Sequence, residues 1–375
     1  MSRQGENGGR FSITYQIVAD SEDRAVKTAD AIRLEQTVEM PEDTVPKQAE
    51  SSLADVISVE QKHEQQWIAK LSFPQSIIDG DPTQLLNVLY GNISMLDGIK
   101  VIDTDDHLFC NILKGPSFGI DRLRSLAGAI HRPLSCTALK PVGLNPSELA
   151  ERAYQFACGG IDIVKDDHGL ADQSTAPFKD RVISCVRAVR KGEQVSGKKT
   201  LYFPNITTSP VLIMERFHQA VELGADGVLI APQLAGIDAV RAIAHENQLP
   251  VMAHPAFSGS FILHSTQGIS LDFYYGKLWR AFGADAVIHP NAGGRFSFSW
   301  DACKKLHNQL KNPLCDFKKS FPTPASGIDL NSLPELLEQY GKDTIFLIGG
   351  SLYKQKEGIE TATKEFQQTL EHYAG

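Results

Sequence analysis

The sequence has no long apolar segment. None of its hydrophobic runs approaches the roughly 20 residues that a membrane-spanning helix requires, and Met1–Arg10 lacks the apolar core of a secretory signal peptide. Basic residues are not in excess either: 37 lysines and arginines face 45 aspartates and glutamates, a net charge of -8. This charge disfavours nucleic acid and anionic membranes as partners. We therefore expect a cytoplasmic protein that binds neither.

Cysteine is scarce, with six among 375 residues, and no two have the Cys-x-x-Cys spacing of metal and redox motifs. Most lie in apolar sequence, so we interpret them as buried, reduced side chains in a reducing compartment. They are Cys110, Cys136, Cys158, Cys185, Cys303 and Cys315. The composition that remains, 42% hydrophobic and 22% charged, is typical of a globular protein with a large core.

The N-terminal part of the chain predicts a small ferredoxin-like α+β domain over residues 11–115, preceded by a disordered polar tail over residues 1–10. Its elements alternate between strand and helix patterns. The predicted strands are Phe11–Ala19, Leu53–Glu60, Gln66–Pro74 and Ile99–Leu113, and the predicted helices are Ser21–Leu34 and Gln84–Asn92. The pattern alone does not exclude a purely structural role for this domain.

From Pro133 onward a strand–helix unit recurs eight times. Each strand is short, apolar and bounded by turn residues, as in strands that are buried on both faces. The predicted strands are Leu134–Lys140, Ile161–Asp167, Thr200–Ile206, Gly227–Pro232, Val251–Pro255, Ala286–Asn291, Lys319–Ala325 and Thr344–Gly350. The predicted helices include Pro146–Cys158, Val211–Leu223, Ile237–Glu246, Leu271–Phe282, Asn331–Tyr340 and Glu360–Tyr373. Consecutive units of this kind favour a (β/α)8 TIM barrel over an open sheet, and we assign residues 116–375 to it.

The carboxyl ends of barrel strands are where function is expected. The second predicted strand ends in Lys165-Asp166-Asp167-His168, charged groups that must be paired, metal-bound or solvated. Together they offer a tunable amine and ligands for a hard divalent cation, although a solvated loop would have a similar sequence. The other strand ends carry Thr137 and Lys140, Asn205, His254, His289, Ser326-Gly327 and Gly349-Gly350-Ser351. Lysines and histidines at one rim favour acid–base chemistry, although a single histidine there is more often structural.

Glycines follow the last two predicted strands, at Ser326-Gly327 and Gly349-Gly350-Ser351. In barrels this position recurs as a phosphate site, because backbone N–H groups without side chains in the way can approach an anion. Gly349-Gly350 alone would indicate only a tight turn. Ala292-Gly293-Gly294-Arg295, after the sixth strand, predicts a mobile loop that brings one cation to a charged substrate.

Gly159–Asp167 strongly resembles the signature of the large-subunit family of ribulose-bisphosphate carboxylase (RuBisCO), which reads GG-x-D-x-x-K-D-D-E. The resemblance covers most of the chain, and further matching segments are Gly91-Asn92, Gly115-Pro116, Thr137–Pro141, His254, His289, Ala325-Ser326-Gly327 and Gly349-Gly350. It implies a head-to-tail homodimer in which Thr37 and Asn92 reach the active site of the neighbouring subunit.

The resemblance also implies roles for the strand-end residues. Lys165 would be carbamylated by CO2 and would hold Mg2+ together with Asp167, while Lys140 would move the proton at the enolising carbon. His254 and His289 would orient hydroxyl groups or transfer a second proton. The implied substrate-binding residues are Thr37, Asn92, Thr137, Asn205, Arg295, Ser326, Gly327, Gly349, Gly350 and Ser351.

Several positions depart from the family pattern. His168 replaces the second metal-binding acid, and a neutral imidazole binds Mg2+ less readily than a carboxylate does. Pro255 replaces a phosphate-binding arginine, and no tryptophan follows Glu35-Gln36-Thr37. The family's second lysine after the first strand and the lysine of its mobile loop are both missing, with Arg295 near the latter position but out of register. These losses indicate the RuBisCO-like (type IV) branch and not a CO2-fixing enzyme.

Members of that branch enolise or isomerise methylthio-pentulose phosphates, or decarboxylate oxidised sugar-acid phosphates. We expect metal-assisted enolisation or isomerisation of a phosphorylated ketose similar to methylthioribulose 1-phosphate. One alternative is a decarboxylase of a 3-oxo sugar-acid phosphate (oxo-isoapionate-phosphate-like), in which Arg295 would bind the departing carboxylate. The other is a non-catalytic regulator with an empty metal site.

Overall fold

A computed structural model describes residues 9–294, 296 and 298–374. The chain forms two compact units. The first comprises the chain up to Leu113 with Ser258–Tyr274 and Leu314–Asp316, and the second comprises Lys114–Phe257, Tyr275–Pro313 and Phe317–Gly375. Among the described residues, none of the helices has both the length and the apolar character that crossing a membrane requires.

The strands, in chain order, are β1 (Arg10–Val18), β2 (Asp55–His63), β3 (Gln66–Pro74), β4 (Ile99–Thr104), β5 (Leu134–Leu139), β6 (Ile163–Asp166), β7 (Leu201–Phe203), β8 (Val228–Ile230), β9 (Val251–Ala253), β10 (Gly268–Ile269), β11 (Ala286–Pro290), β12 (Phe321–Ala325) and β13 (Ile345–Leu347). The helices are α1 (Glu22–Glu35), α2 (Pro82–Tyr90), α3 (Asp106–Ile112), α4 (Gly119–Ala127), α5 (Pro146–Cys158), α6 (Phe178–Ser196), α7 (Ile213–Glu222), α8 (Pro232–Ala235), α9 (Ile237–Glu246), α10 (Gly259–Ile262), α11 (Trp279–Ala281), α12 (Trp300–Gln309), α13 (Leu333–Tyr340) and α14 (Ile359–Ala374). A π-helical segment, Asp272–Leu278, precedes α11.

The first unit is a ferredoxin-like domain, as predicted. Its sheet has the order β10-β4-β1-β3-β2. β1 pairs antiparallel with β3 and with β4, and β3 also pairs antiparallel with β2. The predicted strand Ile99–Leu113 is wrong in its second half, where α3 begins at Asp106 and buries Leu108 and Phe109. The disordered tail was predicted over residues 1–10, but Arg10 is the first residue of β1. Residues 1–8 lie outside the described part of the chain.

The interpretation of all six cysteines as buried and reduced is wrong for one pair. Cys110, exposed on α3, and Cys315 form a disulfide, whereas the other four cysteines are buried and free. Cys315 lies in Leu314–Asp316, which leaves the barrel sequence to join the first unit. The two residues are 205 positions apart, so no local pattern indicated the pairing.

The second unit is a closed parallel barrel, as predicted. Its strands follow the order β7-β6-β5-β13-β12-β11-β9-β8. Closure occurs between the ends of β7 and β8, where Leu229 N–H donates to Pro204 O and Ile206 N–H donates to Leu229 O, each at 2.9 Å. The helices α5 and α9 have their predicted bounds. The predicted cap of α5 is also confirmed, because Asn145 and Glu148 each accept a hydrogen bond from the other's backbone N–H.

Alternation along the barrel strands decides which side chains reach the interior. The inward face is defined by the barrel core, which includes Cys136 of β5, Ile163 of β6 and Met252 of β9. Two residues after Cys136 and Ile163, the same face carries Ala138 of β5 and, opposite it, Lys165 of β6. After two more residues it carries Lys140 and Asp167. His254 follows Met252 in the same way. The charged groups therefore converge on the interior at the carboxyl ends of the strands.

Candidate active site

Lys140 and Asp167 form an ion pair at the mouth of the barrel. The Nζ atom of Lys140 lies 2.8 Å from Asp167 Oδ2, and His168 Nδ1 lies 3.5 Å from Asp167 Oδ1. Burial alone would raise the pKa of Asp167, but contacts from His168 and Lys140 and the nearby Lys165 outweigh it and hold this pKa well below its usual range. Asp167 is therefore a carboxylate placed between two basic groups, and its oxygens are suited to bind a cation.

Lys165 lies deeper in the barrel than this pair. Its side chain is 2% exposed, and its Nζ donates to Asp166 O at 3.1 Å. Burial lowers the pKa of Lys165, and the positive charge of Lys140 lowers it further, against the opposing effect of Asp167 and other anionic neighbours. A lysine with a lowered pKa is more often a neutral amine, which is the form that reacts with CO2.

His168 and His254 meet across the mouth. Their rings stack with centroids 4.6 Å apart and planes inclined by 16°, although they follow β6 and β9, which are three strands apart in the barrel order. The backbone N–H of Ala256 donates to His254 Nδ1 at 3.1 Å, which places the proton of the neutral ring on Nε2. Burial and the charge of Lys165 lower the pKa of His254 well below its usual value, so the neutral ring is favoured.

Asp166, between the two inward residues, faces the helices. It is fully buried and accepts hydrogen bonds from Arg181 Nε (3.0 Å), Tyr202 OH (2.8 Å) and Asn205 N (3.0 Å). Arg181 is buried as well and also donates to two loop carbonyls. These contacts fix the end of β6 and direct Lys165 and Asp167 inward. No sequence motif would have identified this role of Arg181.

Asn205 holds the loop that carries His168. Its Nδ2 donates to His168 O (3.1 Å) and Leu170 O (2.9 Å), and its Oδ1 accepts from the backbone and hydroxyl of Thr207. The side chain is buried. Its amide is thus committed to the protein itself, and the structure favours a positioning role over the predicted contact with substrate.

The glycine-rich ends of β12 and β13 lie side by side. Ser351 Oγ donates to Ile328 O at 3.2 Å, which joins the two loops. Ser326 has a left-handed backbone (φ 70°), a conformation that is uncommon for a residue other than glycine. A Cβ atom at Gly350 would meet nothing within 4 Å, so its backbone is open to a ligand. We call Ser326-Gly327 and Gly349-Gly350-Ser351 the glycine cradle.

Two predicted site residues face away from the barrel interior. His289 follows the inward residue Ile288, is fully buried and lies against Tyr340 of α13, with ring centroids 6.5 Å apart. The hydroxyl of Thr137 donates to Ile348 O at 2.9 Å within the sheet. Neither side chain therefore joins Lys140, Lys165 and Asp167 inside the barrel, and the predicted catalytic role of His289 and substrate contact of Thr137 stay predictions.

Three other predicted residues lie elsewhere. Thr37 and Asn92 belong to the first unit, where Thr37 Oγ1 donates to Arg33 O (2.7 Å) and Asn92 Nδ2 donates to Glu35 Oε1 (3.0 Å). They flank the end of α1, and their predicted contact with a neighbouring subunit stays a prediction. Arg295 lies outside the described residues.

The opposite orientations of His254 and His289 predict different mutational effects. His254→Phe keeps an aromatic ring for the stack but removes the nitrogen atoms, and we expect kcat to fall about a hundredfold, the lower end of the range for losing a proton-transfer group. His289→Phe should leave kcat near the wild-type value, because its Nε2 has no hydrogen-bond partner among the described residues. Steady-state kinetics of both variants, with thermal unfolding as the folding control, test this. Equal losses would contradict the assigned faces.

The donors at the mouth fit a metal only if Lys165 takes part. Within the described part of the chain, no three His, Cys, Asp or Glu side chains are grouped so that they could hold an ion. Asp167 and His168 supply one carboxylate and one imidazole, and a carbamate on Lys165 would add the further oxygen ligand that a hard cation such as Mg2+ prefers. The lowered pKa of Lys165 agrees with this chemistry.

Comparison with known proteins gives consistent results. Residues 119–374 match the family model described as ribulose bisphosphate carboxylase large chain, catalytic domain. A 5-methylthioribulose-1-phosphate isomerase from Rhodospirillum rubrum is 35% identical over 363 residues, which cover 95% of each chain. A 2,3-diketo-5-methylthiopentyl-1-phosphate enolase from Bacillus velezensis is 30% identical, covering 94% of this chain and 89% of the enolase.

Solved structures agree with the sequence relatives. The crystal structure of a Rubisco-like protein from Rhodopseudomonas palustris superposes with a TM-score of 0.88 at 34% identity, covering 98% of this chain and 99% of that chain. A Rubisco-like protein (MtnW) from Alicyclobacillus acidocaldarius superposes with a TM-score of 0.87 at 26% identity, covering 97% and 94% of the two chains. The similarity therefore includes both units and not only the barrel.

Proposed function

This chain belongs to the large-chain family of ribulose-bisphosphate carboxylase, among its RuBisCO-like members, and we propose that it enolises and isomerises 5-methylthioribulose 1-phosphate or a closely similar pentulose phosphate. Relatives named isomerase and enolase support an enzyme that acts through enolisation without fixing CO2. The observation that carries the proposal is the convergence of Lys140, Lys165 and Asp167 at one barrel mouth.

The glycine cradle supports binding of the substrate phosphate. Its two loops are joined through Ser351 and Ile328, and Gly350 leaves its backbone open. The cradle is next to Lys140: a Cβ atom at Gly349 would lie 3.8 Å from Lys140 Cε. A phosphate bound there would place the first carbons of a pentulose near the Lys140 amine. Positioning of this kind accounts for a large share of catalysis in such reactions.

Lys140 is the residue to which we assign proton transfer. Its Nζ, in the neutral form, would accept the proton from the carbon next to the carbonyl and return it to the neighbouring carbon. A Mg2+ ion held by carbamylated Lys165, Asp167 and His168 would act as a Lewis acid and stabilise the developing oxyanion. His254, with its proton on Nε2, would orient a substrate hydroxyl. His168 would provide a nitrogen ligand in place of an oxygen ligand. The identity of the metal as Mg2+ is part of the proposal.

We extend the proposal to a homodimer in which Thr37 and Asn92 complete the neighbouring subunit's site. The alternatives are a decarboxylase, which needs a cation for the departing carboxylate, and a regulator without activity. Arg295 is the candidate cation for the decarboxylase. The side chains at the barrel mouth favour neither the decarboxylase nor the regulator over an isomerase. The names of the relatives favour the isomerase and enolase reactions.

A substrate panel tests the function. The enzyme, preincubated with Mg2+ and bicarbonate, is mixed with 5-methylthioribulose 1-phosphate, 2,3-diketo-5-methylthiopentyl 1-phosphate or a 3-oxo sugar-acid phosphate, and products are followed by NMR. We expect rearranged or enolised product without CO2 from one of the first two, and loss of that activity on Lys165→Arg, which cannot form the carbamate. Release of CO2 from the acid would favour the decarboxylase. Absence of turnover, with no Mg2+ binding by calorimetry, would favour the regulator.

A further inference from the structure

The end of β13 creates an unusual requirement at the end of β5. The two strands pair from Ile345 opposite Leu134 to Leu347 opposite Cys136, and Ile348 N–H then donates to Cys136 O at 3.0 Å. Beyond this point the chain turns away through Gly349-Gly350 into a short 3-10 helix, Leu352–Lys354. β5 continues to Leu139, so the backbone groups of Ala138 and Lys140 on that side have no strand beside them. Such groups need another partner when they are buried.

The hydroxyl of Tyr353 supplies that partner for both groups. It donates to Ala138 O at 2.9 Å and accepts from Lys140 N–H at 3.1 Å. The ring is held from the helix side by Phe156, edge to face at 5.4 Å, and by the Arg152 guanidinium at 5.3 Å. Burial raises the pKa of Tyr353 to about 12, so the hydroxyl keeps its proton and can both donate and accept. One side chain thus replaces the missing part of the sheet.

Tyr353 lies two residues after the glycine cradle and contacts the backbone of the proton-transfer lysine. We propose that Tyr353 is a positioning residue that couples occupancy of the glycine cradle to the placement of Lys140. A ligand on the cradle orders Gly349-Gly350-Ser351, and the 3-10 helix transmits this order through the Tyr353 hydroxyl to the last residues of β5. The proposal rests on the proposed function in so far as Lys140 transfers the proton.

Tyr353→Phe removes the hydroxyl and keeps the ring against Phe156 and Arg152. We expect kcat to fall about tenfold with KM nearly unchanged, because a misplaced catalytic group costs rate more than it costs substrate binding. The matched control is Tyr154→Phe, which removes a hydroxyl that interacts with Cys158 at the far end of α5, and it should behave as wild type. A purely structural role would lower thermal stability and leave kcat of the folded enzyme unchanged.

A second measurement does not depend on turnover. Hydrogen–deuterium exchange of a peptide containing Lys140 is followed with and without inorganic phosphate. In wild type and Tyr154→Phe we expect phosphate to slow exchange of the Lys140 amide, and in Tyr353→Phe we expect faster exchange that phosphate does not change. If phosphate fails to slow exchange in wild type, or slows it equally in Tyr353→Phe, the coupling is overturned. If the wild-type protein shows slower exchange with phosphate but no turnover, the proposed function is contradicted and the coupling through Tyr353 is not.

Discussion

Lys140→Met is expected to reduce turnover by roughly a factor of 10³, within the range for removing a general base. Methionine keeps the length and flexibility of the side chain but cannot accept a proton. The ion pair with Asp167 is lost, but the end of β5 is held through the Lys140 backbone by Tyr353, so the fold should persist. The measurement is the rate at which the α-proton of the substrate exchanges with D2O, followed by NMR beside the rate of product formation.

Lys364→Met is the matched control for this substitution. Lys364 is an exposed lysine that pairs with Glu360 on α14, so its removal also breaks an ion pair but leaves the barrel mouth unchanged. Exchange should continue at the wild-type rate in this variant and disappear in Lys140→Met. Persistent exchange in Lys140→Met at the wild-type rate would mean that another group removes the proton.

Asp166 and Asp167 are expected to respond to substitution in opposite ways. Asp166→Ala leaves the buried Arg181 charge without its carboxylate, and losing one partner of a buried pair costs about 3–5 kcal/mol of unfolding free energy. Asp167→Asn removes a carboxylate from a partly exposed pair, where the stability cost is about 1 kcal/mol or less. Turnover of Asp167→Asn should nevertheless fall strongly, because the charge that orients Lys140 and binds the cation is gone.

Urea unfolding and steady-state kinetics of the two variants separate these effects. Asp166→Ala should shift the unfolding midpoint markedly, and turnover of the fraction that stays folded should fall less than in Asp167→Asn, because Lys165 and Asp167 keep their own side chains. Asp167→Asn should unfold close to wild type and be nearly inactive. The reverse assignment, with a stable Asp166→Ala and an unstable Asp167→Asn, would contradict the inward direction of Lys165 and Asp167 at the end of β6.

Much of the barrel could be predicted from the sequence because its strands are buried on both faces. Strands such as Ala286–Asn291 then appear as short apolar runs between turn residues, and eight of them in succession leave few alternative folds. The Lys165–His168 cluster was also evident, because a run of charge at the end of a buried strand must be paired, metal-bound or solvated. The barrel strands are shorter than predicted, as in β7, whose ladder ends at Phe203 where the barrel closes.

Other features depend on contacts that local sequence does not reveal. A one-residue change of register reverses the face of a strand residue, and a strand that is apolar on both faces gives no alternation to fix it. His289 and Thr137 were assigned to the site for this reason. The Cys110–Cys315 disulfide and the inclusion of Ser258–Tyr274 in the first unit join segments that are distant in sequence. Tyr353 has no motif, because its role arises only from where β13 ends.

We propose that Lys140, Lys165 and Asp167 act together on one phosphorylated substrate in one cavity. The most direct test is a crystal structure with Mg2+, bicarbonate and a phosphorylated hydroxamate that mimics the enediolate. We expect the phosphate on the glycine cradle and the hydroxamate oxygens at a cation that is bound by Asp167 and a carbamate on Lys165. We also expect Lys140 Nζ against the carbon that mimics the site of proton removal. Phosphate bound away from Ser326-Gly327 and Gly349-Gly350-Ser351, or Lys140 directed away from the analogue, would contradict it.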